Sequence, residues 1–207
     1  MNMSNQKPSG TSRRGFLRGA GLTTAGLALA PHLRAEPYPA PVADPFSSPT
    51  GVKVSLRVNG TTREATIEAR TTLAETLREE LNLTGTKVVC DRGSCSCCTV
   101  YLDGEPVCSC LTLALDVDGR EVTTIEGLGS EEGGLHPVQE AFMEHDASMC
   151  GFCTPGMIMS CAALLERNPN PSLDDVKQAT SGNLCRCGTY PKVFDAVLDA
   201  ATVARKR

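Results

Sequence analysis

Between Cys90 and Leu111 the chain reads CDRGSCSCCTVYLDGEPVCSCL, with six of its eleven cysteines in twenty-two residues. No small core needs so many thiols merely to fill space. Thiols at this density either pair as disulfides or hold metal, and the compartment decides which. The first three useful ones, Cys90-x4-Cys95-x2-Cys98, follow the interval of plant-type 2Fe–2S sites, which take a fourth cysteine further on. A loop returning every three to five residues can aim several thiolates inward while its backbone N–H groups face the cluster sulfurs. Gly93 supplies the permissive φ that such a wrap needs. Cys97 is adjacent to Cys98, and neighbours in an extended segment point opposite ways, so one of the two faces the cluster. Cys108 and Cys110 are both candidates for the fourth ligand. They share a face if that stretch is a regular strand, and spacing does not choose between them.

A second group lies downstream. Cys150-x2-Cys153 precedes an expected helix, and Cys185-x-Cys187 falls between two others. Helix N-termini stabilise anions, which suits thiolates and a negatively charged cluster. Iron–sulfur and a structural zinc are both open on spacing alone, although zinc sites more often use C-x2-C twice. Cys161 sits on the apolar stripe of its helix and reads as a small hydrophobe. A Rieske centre would need two paired histidines, and His136 and His145 stand in no C-x-H pattern.

Compartment bears on the disulfide reading. Residues 1–11 are polar, Ser12-Arg13-Arg14-Gly15-Phe16-Leu17-Arg18 follows, and an uncharged run from Gly19 to Ala30 leads to Leu33-Arg34-Ala35. The run is too short for a bilayer, which takes about 20 apolar residues, so no membrane span is expected here. Residues 1–35 read as a targeting segment whose paired arginines resemble a twin-arginine (Tat) signal, with a Sec signal or a basic tail as alternatives. The Tat route carries folded proteins, so the expected location is the periplasm with cofactors inserted beforehand in the cytoplasm. Cysteines on such a chain are metal ligands before they meet an oxidising environment. Residues 36–50, EPYPAPVADPFSSPT, are proline-rich and read as a linker.

Two modules are expected after it. VKVSLRV alternates with period two, Asn59-Gly60 makes a tight turn and TTREATIEA returns. Thr72 and Glu75 form a capping-box signature before a helix with Leu73, Leu77 and Leu81 on one face. Strands near CTVYLDG, EPVCSCL and EVTTIEGL complete a β-grasp-like module over 51–128. From 129 to 207 the pattern is helical: HPVQEAFMEH, then TPGMIMSCAALLERN, then a helix capped by Ser172 and Asp175, then YPKVFDAVLDAA with Val193/Val197 and Phe194/Leu198 pairs. These suggest a four-helix bundle, and the fold class is α+β. With a net charge of -4, no Trp and 4% aromatic residues, the chain offers neither a basic stripe nor stacking rings for nucleic acid.

In that order, CDRGSCSCCTV, SCLTLA, HPVQEAF, CGFCTPGMIM and NLCRCGTYP resemble the small iron–sulfur subunit of the molybdenum hydroxylases, the xanthine dehydrogenase/aldehyde oxidoreductase family. The resemblance covers about residues 52–205 and leans towards the exported aldehyde oxidoreductase type. It implies a plant-type β-grasp ferredoxin domain and a helical domain, each with one 2Fe–2S cluster. Cys90, Cys95, Cys98 and Cys110 would hold the first cluster, because the family's SCL falls on Ser109-Cys110-Leu111. Cys150, Cys153, Cys185 and Cys187 would hold the second, with Gln139 and Cys187 beside a molybdopterin. It further implies a large molybdopterin-binding subunit and an FAD-binding subunit as partners. Electrons from hydroxylation on the molybdenum subunit would cross the helical-domain cluster, then the β-grasp cluster, to FAD or an external acceptor. The chain carries no Ser/His/Asp set, carboxylate pair or nucleotide loop for substrate chemistry of its own. Aldehydes are the expected substrate class and N-heterocycles the alternative. A free-standing electron carrier and a zinc-stapled or disulfide protein are the rival readings. One departure stands out: Ser96-Cys97 occupies the family's usual Gly-Ala. If Ser96 must adopt φ > 0, it bears about 1 kcal/mol of strain or finds a side-chain hydrogen bond.

Overall fold

The computed structural model describes Arg14, residues 51–129 and residues 134–205. The expected targeting segment (apart from Arg14) and the linker lie outside the described residues. The described residues from 51 onward fall within one compact unit. Its first part is a mixed five-stranded sheet in the order β2-β1-β5-β3-β4. Strand β1 (Val52–Val58) turns at Asn59 and Gly60, both at positive φ, and pairs antiparallel with β2 (Thr61–Ile67) from Val52↔Ile67 to Val58↔Thr61. β3 (Thr99–Leu102) and β4 (Glu105–Cys108) form a second hairpin through Asp103-Gly104. β5 (Glu121–Thr123) joins the hairpins, running parallel to β1 and antiparallel to β3. The inward residues of every strand but β4, Val54, Leu56, Val58, Ala65, Ile67, Val100, Leu102 and Val122, form one core with Leu73 and Leu77 of the helical segment that follows β2.

α1 is short. Thr72 Oγ1 accepts the Glu75 N–H at 3.2 Å and Glu75 Oε2 accepts the Thr72 N–H at 2.7 Å, so the capping box forms as read from the sequence. The helix, Leu73–Glu75, then widens into a π turn over Thr76–Glu80. Leu73 and Leu77 stay buried on the expected face, with Leu81 packed at its edge.

Four helices make up the second part: α2 (Pro137–Glu144), α3 (Thr154–Arg167), α4 (Leu173–Ala179) and α5 (Tyr190–Ala204). Their apolar faces share a separate core that includes Val138, Phe142, Met157, Cys161, Val193 and Val197. Cys161 is fully buried within it, as its place on the stripe suggested. The two cores meet along a small apolar seam of Tyr101, Met159 and Ala163, flanked by Ile125 and Leu128. No helix among the described residues is long and apolar enough to cross a membrane.

Candidate metal centres

The loop before β3 carries four cysteines, Cys90, Cys95, Cys97 and Cys98, on a backbone that repeatedly enters the left-handed region, at Asp91 (φ 53), Gly93 (φ 68) and Ser96 (φ 51). These reversals turn consecutive N–H groups inward. Ser94 N–H donates to Cys90 Sγ and Gly93 N–H donates to Cys110 Sγ, each at 3.3 Å. Cys110 reaches the loop because the strand stops before it. β4 ends at Cys108, and a 3-10 turn over Ser109–Leu111 swings Cys110 into a pocket with Cys98 and Ala74. The condition that would have put Cys108 and Cys110 on one face is therefore not met. Cys110 is buried against Cys98 and near Cys90, whereas the half-buried Cys108 lies 4.0 Å from Gly93 O and Ser96 Oγ.

Within this group the thiols associate in pairs, Cys90 with Cys95 and Cys98 with Cys110. The backbone N–H of Arg92, then the Cys95 thiol, bring Cys90 down to about 7. Burial pushes Cys110 up to about 11 against the Gly93 N–H. Cys97 lies beside the first pair, and its thiol also meets that of Cys95. It is buried, its Sγ lies 3.7 Å from Cys95 O, and burial followed by Cys95 raises it to about 12.

Ser96 does take the strained φ, but its hydroxyl is not what relieves it, since the nearest partner is Cys108 Sγ at 4.0 Å. Its carbonyl is well used instead, accepting from Thr99 Oγ1 at 2.8 Å and Asn183 Nδ2 at 3.3 Å.

The second group sits where helices begin. Cys153 is the N-cap residue of α3, and Cys185 and Cys187 lie in the turn leading into α5. Gly151 (φ 83) and Gly188 (φ 78) reverse the two loops. Again there are two pairs, Cys153 with Cys185 and Cys150 with Cys187. Burial, then Cys185, raises Cys153 to about 12. Burial acts on Cys185 too, but donors led by Thr189, whose Oγ1 is 3.2 Å from Cys185 Sγ, bring it down to about 7. Tyr190 braces the turn, its hydroxyl accepting the Cys185 N–H at 2.8 Å and donating to Asn183 O at 2.9 Å. Thr189, Tyr190 and Asn183 escaped the sequence reading. The adjacent Thr-Tyr after C-x-C is the signal that could have found them.

Among the described residues no three His, Cys, Asp or Glu side chains converge on one point. Four thiols gathered at each site, with backbone N–H groups directed at sulfur, form a donor set that would hold a 2Fe–2S cluster and let it exchange single electrons. The donor sets therefore fit the expected clusters.

Gln139 serves the start of α2. Its Oε1 accepts the His136 N–H at 2.9 Å, and its Nε2 donates to Ile125 O at 3.2 Å. His136 completes this cap by accepting the Val138 N–H on Nδ1 at 3.2 Å, and burial lowers its pKa.

The two loops touch. Leu184 N–H, one residue before Cys185, donates to Cys95 O at 3.1 Å, and Ser96–Cys97 lies on Gly156 in the first turn of α3.

Comparison with known proteins agrees with this layout. Residues 56–124 match the 2Fe-2S iron-sulfur cluster binding domain, and residues 124–198 match a second [2Fe-2S] binding domain. The nicotine 6-hydroxylase small subunit of Paenarthrobacter nicotinovorans is 50% identical over 149 residues, 72% of this chain and 89% of that one. The aldehyde oxidoreductase iron-sulfur-binding subunit PaoA of Escherichia coli K12 is 40% identical over 205 residues, 92% of this chain and 88% of its own. The crystal structure of quinoline 2-oxidoreductase from Pseudomonas putida 86 superposes with a TM-score of 0.72 at 43% identity, covering 76% of this chain and 98% of the matched one. With both cluster-binding segments in tandem and relatives matched over most of their length, this chain belongs to the family of small, two-cluster iron–sulfur electron-transfer subunits of the molybdenum hydroxylases.

Proposed function

We propose that this chain serves a heteromeric molybdenum-dependent aldehyde oxidoreductase in the periplasm, exported through a Tat signal in residues 1–35. In this reading a proline-rich linker spans 36–50, a β-grasp domain spans 51–128 and a four-helix bundle spans 129–207. Cys90, Cys95, Cys98 and Cys110 hold the first 2Fe–2S cluster, and Cys150, Cys153, Cys185 and Cys187 hold the second. One-electron exchange is the chemistry the clusters supply. The chain's residues hold them, shield them and present them to partners. The observation that carries this is the arrangement of the two thiol sets, linked to each other by the Cys95–Leu184 hydrogen bond while each opens to the surface on its own rim.

Those rims are apolar. Exposed Met149, Phe152 and Leu184 adjoin Cys150, Cys153 and Cys185, and exposed Val89, Leu111 and Leu113 surround the Cys90 loop and its Cys110 closure. Apolar groups exposed together mark docking surfaces. The first rim suits the large molybdopterin-binding subunit and the second an FAD-binding subunit or external acceptor. Gln139 retains one amide hydrogen beyond its bond to Ile125, and Cys187 is exposed. Both can face a pterin on the first rim without undoing the α2 cap.

The alignment with the E. coli aldehyde oxidoreductase subunit supports aldehydes, because at 92% of the chain it extends into the segment before residue 51. Hydroxylation of an N-heterocycle is the second reading, favoured by the 50% identity to the nicotine 6-hydroxylase subunit.

Purification of the native complex from a periplasmic fraction tests the whole reading. Molybdenum, FAD and two 2Fe–2S clusters per chain should co-purify, with activity on aldehydes exceeding that on N-heterocycles. A chain recovered without molybdenum and flavin would remove the subunit assignment, and a colourless protein with stoichiometric zinc would remove the clusters.

A further inference from the structure

Cys97 belongs to neither set of ligands, yet it lies between them. It is 3% exposed on the segment joining Cys95 to Cys98. The left-handed turn at Ser96 folds Cys97 back, so that its Sγ approaches Cys95 O at 3.7 Å. That carbonyl has a second donor, the Leu184 N–H at 3.1 Å, which comes from the ligand loop of the other cluster. Two lone pairs on one oxygen are thus both engaged, one from each side of the contact.

The opposite wall is backbone. A Cβ added at Gly156 would overlap Ser96 O and stand 2.9 Å from Cys97 Cα, so the first turn of α3 presses directly on the Ser96–Cys97 peptide. Asn183 Nδ2 holds Ser96 O from the α5 side. Cys95 and Cys98 of the first site and Cys153 of the second are all close enough for their charges to act on Cys97. An alanine here, the family's usual residue, would leave the Cys95 carbonyl with the Leu184 donor alone.

We propose that Cys97 is a positioning residue for electron exchange between the two clusters, its thiol steadying the Cys95 carbonyl on the Leu184 amide. This rests on the ligand assignment above. Hydrogen bonding around cluster ligands is one of the terms that set reduction potential. A donor on the Cys95 carbonyl draws electron density from the peptide next to a ligand sulfur, which favours the reduced first cluster. Losing that donor moves its potential downward and loosens the contact through which the clusters are coupled.

The test uses Cys97→Ala and Cys97→Ser in the complete complex, titrated potentiometrically and followed by EPR. Both variants should carry native iron per chain. In Cys97→Ala the first cluster should become reducible only at a more negative potential, with weaker spin–spin interaction between the two signals. The second cluster's potential should not move, and Cys97→Ser, which keeps a donor, should return both quantities towards native. A titration of Cys97→Ala that superimposes on native would overturn the proposal. So would a Cys97→Ser that behaves like alanine, because the residue would then only fill space. Loss of iron from either variant would make Cys97 a ligand instead. If native protein itself lacks two cluster signals, the failure belongs to the ligand assignment and not to Cys97.

Discussion

Only Ser109 separates Cys108 from Cys110, and what distinguishes the two cysteines is local backbone. Ser109 Oγ donates to Cys98 O at 2.7 Å, pinning the 3-10 turn against the cluster loop and directing Cys110 inward beside Cys98. Cys108, the last residue of β4, is half-buried and packs at the side of the pocket of Cys98 and Cys110. We therefore expect Cys98→Ala to halve the iron content and erase the first cluster's EPR signal, whereas Cys108→Ala leaves both signals intact. Iron analysis with EPR on the reduced proteins decides, and a Cys108→Ala protein lacking one cluster would reverse the assignment. Spacing pointed to Cys90, Cys95 and Cys98 because a loop wrapped on a cluster would repeat its thiols at short intervals. It was silent on Cys108 and Cys110 because alternation holds only while a strand continues, and nothing in VCSCL announces that this one stops. Ser96 was legible only as a question. The sequence places a serine at the family's glycine position, and the Thr99 and Asn183 donors to its carbonyl come from the folded chain.

At the level of elements, short-range chemistry was easier to read than contact between elements. The Thr72/Glu75 and Ser172/Asp175 capping boxes both form, since their partners lie three residues apart. The π turn after Glu75 and the ring-nitrogen cap by His136 carry no such signature. The seam between sheet and helices was also hidden, because it depends on how α3 crosses β3. Tyr101 is its anchor, 4% exposed, with its hydroxyl donating to Met159 O at 2.7 Å, while burial raises its pKa. Tyr101→Phe removes that bond and leaves one buried acceptor short, so a loss of about 1 kcal/mol in denaturant unfolding is expected. Gly156 marks the other end of the crossing. Gly156→Ala forces α3 off the Ser96–Cys97 peptide, and overpacking of backbone against backbone should cost about 1–3 kcal/mol. If Gly156→Ala proved as stable as native in the same measurement, the close approach would be disproved.

For the molecule as a whole, the order of two modules was visible from hydrophobic period, which changes from two to about four near residue 134. How the modules join was not, because the join is shared between the cysteine loops and the apolar seam at Tyr101 and Met159. The sheet core and the helix core are separate, and neither includes the segments 90–94 or 185–188 as buried members. Those segments hold several left-handed residues and few apolar contacts, so the clusters must supply much of their order. The inter-module bonds at Leu184 N–H to Cys95 O and Asn183 Nδ2 to Ser96 O lie within the same loops, whereas Tyr101 to Met159 lies between packed elements. Removing iron should therefore loosen one half of the join and spare the other. Hydrogen exchange on chelator-treated protein should show the Leu184, Gly93 and Ser94 amides losing protection. The amides of β3 and the middle of α3 should exchange as slowly as in the loaded protein, because local opening need not reach the cores. A single loss of protection spread across both cores would mean instead that the clusters hold up the entire fold, and that the apolar seam at Tyr101, Met159 and Ala163 is too small to keep the two modules together without them.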